Sequence, residues 1–311
     1  MTTCQRQVTG VIVTFRSRHT IGATLDALLE AHGAGLAEVV VVDNSSNDGT
    51  ADFVAEHYPW VTLVRDGGNV GFGKGCNRGL EYVTTPYALL LNPDAVISFQ
   101  ALTTLLDFMN GHPRVGICGP AVVEASGDLQ PAGGLPTPWK IMLKPLWPRW
   151  ASRGRRLVVP GEASTATDWI CGSIMLLRSA MIKEVGEFDP RFFLYFEETD
   201  LCLRAQESGW ELWTVGEAVC GHINAASAKA TNDPMIWGTL SEHYFKSRFY
   251  YLVKHFGWPL AVIAEIGELS FMFVRATADL ARGRPYENLK LRLASPILKL
   301  PARLEVPQQR N

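Results

Sequence analysis

The sequence contains no Cys-x-x-Cys pair, no internal repeat and no uncharged apolar stretch long enough to span a bilayer. Its six cysteines, Cys4, Cys76, Cys118, Cys171, Cys202 and Cys220, have the spacing of neither a disulfide framework nor a zinc ribbon. Cys220 and His222 lie close together, but no second ligand pair accompanies them to complete a zinc site. The segment Met1–Val8 lacks the apolar core of a signal peptide, so a reducing cytoplasmic location is the default expectation. Charge is also scarce. Charged residues make up 19 % of the chain and the formal net charge is −2, which gives no general case for nucleic-acid binding. Apolar residues are plentiful at 47 % of 311 positions, enough for one large domain or two modest ones and too many for global disorder.

The apolar residues are arranged in alternating periods. Val8–Thr14 is a β-rich run, followed by the polar turn Arg16–Thr20 and by Ile21, Leu25, Leu28 and Leu29 at helical spacing. Ala37–Val42 predicts a second strand, and the Asp43–Gly49 cluster that follows is turn chemistry leading into a helix over Ala51–Tyr58. Val61–Val64 and Tyr87–Leu91 predict further strands around a helix at Gly75–Val83, and Val115–Glu124 closes the regular region. Strands of near-uniform apolarity alternating with helices define an α/β fold with a parallel sheet covered on both faces. Ligands of such sheets bind beyond the carboxyl ends of the strands, and Asp43, Asn69 and Asp94 are therefore expected to face one crevice.

Residues 126–165, rich in Gly, Pro, Trp and basic side chains, predict a long loop or lid. Beyond them the pattern predicts a strand at Trp169–Arg178, helices at Ser179–Val185 and Glu198–Ser208, and two strands at Glu211–Val215 and Ala218–His222. From Met235 onward it is helical, through Leu240–His255 and Leu260–Leu280, with a tail broken by Pro285, Pro296, Pro301 and Pro307.

Several of these residues carry chemistry. Asp94 ends a buried strand in a turn stiffened by Pro93, where a carboxylate can hold Mg²⁺ or Mn²⁺ or can simply cap the turn. Glu197, Glu198 and Asp200 place three carboxylates within four residues. At a helix N-terminus they are favoured by the dipole, and burial beside Phe192, Phe193 and Phe196 would raise a carboxyl pKa towards general-base work; spacing does not choose between the roles. The loop from Gly67 to Gly75 has the Gly-x-x-x-x-Gly-Lys spacing of a phosphate loop, yet Gly75 stands where the metal-binding hydroxyl belongs, and the Rossmann spacing is incomplete. A glycine-lined backbone still permits close approach of a nucleotide. His222, at the end of the last predicted strand, gains interest only if the fold brings it to Asp94.

Together, VIVTFRS at 11–17, VVVDNSSNDGT at 40–50, NVGFGKGCNRG at 69–79, LLLNPDA at 89–95, CGSIMLLR at 171–178 and FDPRFFLYFEETDLCLRAQESGW at 188–210 resemble family 2 glycosyltransferases. The likeness is to the rhamnosyltransferase-like branch with the GT-A fold, and it spans roughly residues 8–225. The resemblance implies a GT-A nucleotide-sugar-binding domain at residues 1–230 and a C-terminal helical appendage at 231–311. It implies that Thr14 and Asp43 bind the donor nucleotide, that Asn69, Gly71 and Asn77 line its pocket, and that Asn92 stands at the first position of the D-x-D element. Asp94 would be the metal-binding carboxylate and His222 would complete metal or diphosphate binding. Glu198 would be the catalytic base, with Asp200 beside it. The implied reaction is inverting transfer from a nucleoside-diphosphate sugar, dTDP-rhamnose being one candidate, to a saccharide or lipid-linked acceptor in cell-surface polysaccharide synthesis, with Mg²⁺ or Mn²⁺ as cofactor. A non-catalytic sugar-nucleotide-binding or scaffold protein of the same fold is the alternative. A nucleotidyltransferase is a third reading, for which Arg16–Thr20 is a poor phosphate loop.

Between Trp139 and Arg156 lie six cations and no Asp or Glu, interleaved with Trp139, Trp147 and Trp150. Such a segment suits either a phospholipid headgroup region or an acceptor-binding lid. Residues 243–311 carry eleven Lys or Arg against five Asp or Glu, and Phe271–Val274 adds an apolar segment. The expectation is a surface that rests on an anionic membrane, with a homo-oligomer interface as the competing use.

Overall fold

The computed structural model describes residues 6–223, 234–283 and 287–300. Cys4, Pro285, Pro301 and Pro307 lie outside them. The first elements are β1 (Val8–Thr14), α1 (Ile21–Gly33), β2 (Ala37–Asp43), α2 (Thr50–His57), β3 (Thr62–Arg65), α3 (Phe72–Leu80) and β4 (Tyr87–Leu91). Next come β5 (Ala95–Val96), α4 (Phe99–Gly111), β6 (Val115–Glu124), β7 (Pro131–Ala132), α5 (Pro138–Leu143), α6 (Pro148–Ala151), β8 (Arg156–Leu157) and β9 (Thr165–Thr167). The chain continues through β10 (Ile174–Arg178), α7 (Ser179–Val185), α8 (Glu197–Glu207), β11 (Glu211–His222), α9 (Pro234–Phe256), α10 (Trp258–Leu280) and α11 (Glu287–Ala294).

The main sheet runs β3-β2-β1-β4-β10-β6-β11-β5, with β9 paired to β11. The first four strands are parallel, β6 and β11 are parallel, and β10 lies antiparallel between β4 and β6. Side chains alternate between two cores, as the two-residue period of a strand requires. Val39, Val41, Leu89 and Leu91 meet α1, α2 and α4, whereas Val40, Val42, Ala88 and Leu90 meet α3, α7 and α8. Each such apolar side chain, once buried, stabilises the fold by about 1.5–3 kcal/mol. The register then builds the crevice: Thr14 pairs with Asp43 and Ile12 with Leu91, so the chain leaves β1, β2 and β4 along one sheet edge.

Helix α3 starts at Phe72, not at Gly75 as the periodicity predicts. Gly71 (φ 90°) turns the chain, and the Phe72 N–H donates to Phe193 O at 2.8 Å. The helix then lies close against β1, since a Cβ on Gly75 would sit 2.6 Å from a Val13 methyl. Strand β10 begins at Ile174, not at Trp169, because the preceding segment bonds elsewhere. Trp169 O accepts from Gly133 N at 2.8 Å and Trp169 Nε1 donates to Thr199 Oγ1 at 3.1 Å. The two strands expected over 211–222 are one, β11, whose register slips between Val215 and Val219. Helix α4 was not anticipated, although the Ser98 hydroxyl caps it and Leu102, Leu105, Leu106 and Met109 form its buried stripe.

The basic loop is folded. It forms the β7–β8 hairpin and two short helices, and Asp168 anchors its base by accepting from Gly134 N at 2.6 Å and Leu135 N at 3.2 Å. Helix α5 packs on α10 where Met142 covers Gly267, so loop and C-terminal helices share one surface. Phe192, Phe196, Phe249, Tyr251 and Ala264 form a further core joining α9 and α10 to the turn before α8.

Some of the charge of the C-terminal segment is placed inside the protein. Arg248 and Arg292 are buried against Glu265 and Glu268, and Lys254 reaches Asp189 and Asp200. Three of its eleven cations thus hold helices together, while two of its five acids are buried with them. No helix among the described residues is long and apolar enough to cross a membrane.

Candidate active site

Three groups of side chains meet at the carboxyl edge of the sheet. The first is built where β1 and β2 end. Thr14 Oγ1 donates to Asp43 Oδ1 at 3.1 Å, and Asp43 Oδ2 accepts from Ser46 N at 3.2 Å. Asn44 ties this corner to the glycine-rich loop, donating to Asn69 Oδ1 at 2.9 Å and to Gly71 O at 3.2 Å. It also accepts from Val70 N at 2.9 Å. Thr14, Asp43, Asn69 and Gly71 are thus brought together as expected, and Asn44, hidden in an ordinary turn cluster, is the residue that joins them. Asn77 is not. Its amide donates to Phe188 O at 2.8 Å and accepts from Phe188 N at 3.0 Å, so it clamps α3 to the 188 segment instead of lining a pocket.

The second group forms after β4. Asn92 contributes its backbone, its N–H donating to Ser173 O at 2.9 Å, and a turn closes from Ala95 N to Asn92 O. Strand β5 pairs antiparallel with the end of β11, matching Ala95 to His222. Asp94 Oδ1 consequently lies 3.0 Å from His222 Nε2, while His222 Nδ1 lies 2.9 Å from Glu124 Oε2. Burial opposes the charge on this imidazole, but the hydrogen bonds and charges of Asp94 and Glu124 outweigh it and push its pKa up to about 9. Glu124 escaped the sequence reading because the last residue of a strand carries no signal for its partner.

The third group opens α8. Tyr195 and Phe196 both take left-handed φ values, 70° and 69°, a conformation that costs non-glycine residues about 1–3 kcal/mol each and clusters at functional sites. This turn aims Glu197 and Glu198 differently. Glu197 is buried against Gly73 of α3, and its Oε2 has no hydrogen-bond partner among the described residues. Burial first, and then the neighbouring Glu198 charge, hold its pKa well above the carboxylate range. Glu198 is half-buried, its pKa raised by burial, and its Oε1 accepts from Thr199 Oγ1 at 3.1 Å. It faces a cavity of ≈ 400 Å³ roofed by the basic loop and walled by Trp169, Cys171, Tyr195 and Tyr244. The Cys171 thiol is pushed up by burial first and then by the charges of Glu198 and Glu124, which places it between the second and third groups.

Asp200 is brought to neither the cavity nor the crevice. It is fully buried, accepting from Arg204 Nε at 2.8 Å and His255 Nε2 at 2.7 Å, with Lys254 Nζ at 2.5 Å. Its expected place beside the base is corrected to the joint between α8 and α9.

The sheet edge offers a cation a two-residue seat of one carboxylate oxygen and one imidazole nitrogen. No group of three or more metal-ligating side chains occurs among the described residues. That set fits a hard divalent cation that takes its remaining ligands from substrate phosphates and water. It does not fit a closed structural zinc site.

A mostly parallel sheet with an acid–histidine pair at its carboxyl edge and a carboxyl-bearing side cavity is the arrangement of a GT-A nucleotide-sugar-binding fold. The structure aligns with a mannosyltransferase from Pyrobaculum calidifontis solved with GDP-Man and Mn²⁺, at TM-score 0.58 and 16 % identity over 94 % of this chain and 85 % of that one. The model of Glycosyl transferase family 2 matches residues 9–183, more than half of the chain, and the chain belongs to that family. Among curated relatives, the N-acetylglucosaminyl-diphospho-decaprenol L-rhamnosyltransferase of Mycobacterium tuberculosis is 29 % identical over 243 residues, 71 % of this chain and 76 % of the relative. Rhamnosyltransferase WbbL of Escherichia coli K12 is 26 % identical over 169 residues, 51 % of this chain and 62 % of the relative. Glycosyl transfer is accordingly the reaction class, and the family expected from the six sequence segments is the one found.

Proposed function

We propose that the protein transfers a sugar from a nucleoside-diphosphate sugar, with dTDP-rhamnose the leading donor, to a lipid-linked saccharide acceptor in cell-surface polysaccharide synthesis. The observation that carries this reading is Glu198 standing on the wall of a large cavity, next to the sheet edge that holds Asp94 and His222. The two curated rhamnosyltransferases support the choice of sugar and, in the mycobacterial case, of acceptor.

In this reading Thr14, Asp43, Asn44 and Asn69 hold the nucleoside, and Asp94 and His222 hold Mg²⁺ or Mn²⁺. That cation would supply Lewis-acid stabilisation to the departing diphosphate. Glu198 takes the proton of the acceptor hydroxyl as its oxygen bonds to the anomeric carbon. The carbon–oxygen bond to the diphosphate breaks, its electron pair leaves with the nucleotide, and direct displacement inverts the anomeric centre. General-base help of this kind contributes about 10²–10⁴-fold. Glu197 is the poorer base, since it faces α3, and Asp200 serves by holding α8 against α9.

Exposed Trp139, Trp147 and Trp150 on the loop, and Ile263, Ile266, Phe273 and Val274 on α10, support contact with a membrane surface. A cytoplasmic protein resting on the inner leaflet would meet its acceptor there.

The test is binding and slow hydrolysis of UDP-, dTDP- and GDP-sugars by wild type and Asp94→Ala, with and without Mn²⁺ or Mg²⁺. Metal-dependent turnover of one donor, lost in Asp94→Ala, is the expected result. Failure of every donor to bind would leave the scaffold alternative in its place.

A further inference from the structure

The cavity beside Glu198 has an unbalanced charge. Lys140, Lys144 and Arg155 line it, and none of the three makes an ion pair among the described residues. Nearby cations are treated differently by the fold. Arg156, the next residue in the chain, is paired with Glu162, and Arg248 at the cavity wall is neutralised by Glu265 and Glu268. Asp168, at the base of the loop, is occupied by the Gly134 and Leu135 N–H groups.

The Lys140 side chain and the Arg155 backbone are also held in place. Lys140 Nζ donates to Leu135 O at 3.1 Å, and the first turn of α5 is fixed by the Thr137 hydroxyl. The Arg155 backbone lies against Gly134, where an added Cβ would stand 3.0 Å from Arg155 N, and Arg155 N donates to Ser152 O at 3.1 Å. Like charges converging on a concave space repel one another unless an anion is seated between them. Glu198 is the single carboxylate of the cavity outside the Arg248 cluster, and its one negative charge does not balance three positive ones.

We propose that Lys144 and Arg155, with Lys140 beneath them, form a subsite for the diphosphate of a diphosphate-linked acceptor. With the Glu198 carboxylate counted, the cavity's net charge of about +2 matches the two negative charges of adjacent phosphates, and the planar guanidinium of Arg155 suits paired phosphate oxygens. The inference rests on the glycosyl-transfer reading for its biological meaning, but the anion site stands on the cavity alone. It is separate from the donor diphosphate, whose place is at Asp94 and His222. A diphosphate anchored here holds the first sugar of the acceptor within the cavity that Glu198 faces.

The experiment measures calorimetric binding of farnesyl diphosphate, inorganic pyrophosphate and dTDP to the full chain. Wild type is compared with Lys144→Glu, Arg155→Glu, the double variant and Arg153→Glu, a loop reversal outside the cavity lining. All three substituted positions are exposed and make no ion pair among the described residues, so folding is retained. Each cavity reversal is expected to weaken farnesyl diphosphate and pyrophosphate about 10-fold or more, with dTDP and the Arg153→Glu protein within about twofold of wild type. Undiminished farnesyl diphosphate binding in the double variant overturns the subsite. Parallel loss of dTDP assigns the cations to the donor, and equal loss in Arg153→Glu reduces them to a general field; either overturns it too. Vesicles of phosphatidylglycerol form a separate arm, and if the cavity reversals abolish vesicle binding alone, the cations serve a headgroup and the proposal fails. Farnesyl diphosphate binding that depends on Lys144 and Arg155 in a protein that turns over no nucleotide sugar would uphold the subsite and defeat the glycosyl-transfer reading.

Discussion

His222 Nε2 stands 3.0 Å from Asp94 Oδ1, although 128 residues separate them in the chain. The antiparallel pairing of β5 with the end of β11 makes this contact, and Glu124 fixes the other face of the ring by meeting Nδ1 at 2.9 Å. A carboxylate on the far nitrogen of a histidine sets which way the ring points and raises its basicity as a ligand.

With a metal at Asp94 and His222 as proposed, Glu124 would act on it through His222. Glu124→Gln is expected to weaken Mn²⁺ binding in the presence of nucleotide by about 10–100-fold, the usual effect of removing such a partner. Asp94→Ala should abolish it. Electron paramagnetic titration of Mn²⁺ reads both directly, and unchanged affinity in Glu124→Gln would remove Glu124 from the site.

The pair was only half legible in the sequence. Asp94 announces itself by ending an apolar run beside Pro93, but nothing local distinguishes Glu124 from any polar residue at a strand end. Its role arises from the pairing of β6 with β11, a long-range register that periodicity does not carry. The parallel strands β1 to β4 were readable because each is apolar on both faces. The start of β10 was not, because Trp169–Ser173 is as apolar as a strand while its hydrogen bonds go to the loop and to α8. Which charges of the C-terminal segment lie inside was hidden for a related reason: composition counts Arg248, Arg292, Glu265 and Glu268 without showing that they are buried together.

Glu198→Gln separates chemistry from stability. Loss of the base should lower turnover by about 10²–10⁴-fold while leaving donor binding intact. Burial raises the folded-state pKa of Glu198, so the native protein disfavours its ionised form. The resulting penalty is absent below the unfolded value of about 4.3 and grows as pH rises towards the folded one. Glu198→Gln should then melt higher than wild type at pH 8 but not at pH 4. A variant that is inactive and also less stable at pH 8 would make Glu198 a structural residue.

Gly71 joins the Thr14–Asp43–Asn44 corner, the proposed nucleotide site, to the turn that carries Phe193. Its φ is 90°, and an added Cβ would stand 2.9 Å from the Phe193 carbonyl carbon. Gly71→Ala must move one loop or the other, at a cost of about 1–3 kcal/mol. The expected outcome is a lowered melting temperature together with weaker donor-nucleotide binding, because Asn44 reports to both loops. Loss of stability with nucleotide affinity unchanged would show that the glycine loop does not shape the donor pocket.

Asp200 and Asp189 tie the C-terminal helices to the catalytic domain through Lys254, which reaches both. Burial opposes ionisation of each carboxyl, but hydrogen bonds and charges from Arg191 and Lys254 at Asp189, and from His255, Arg204 and Lys254 at Asp200, lower both pKa values. A depressed folded-state pKa contributes stability that is present above the unfolded value of about 3.9 and is lost as pH falls below it. Acidification from pH 5 to pH 3 should therefore weaken the joint. Asp200→Asn, which leaves Lys254, His255 and Arg204 without one partner, should cost about 3 kcal/mol at pH 7 and much less at pH 3. Because α9 also walls the cavity through Tyr244 and Arg248, the same variant should lose acceptor affinity before donor affinity. Chemical denaturation at the two pH values, followed by separate donor and acceptor titrations, checks both. A loss of stability that is independent of pH would show that the joint is held by the apolar contacts of Phe192, Phe196 and Tyr251 and not by its charges.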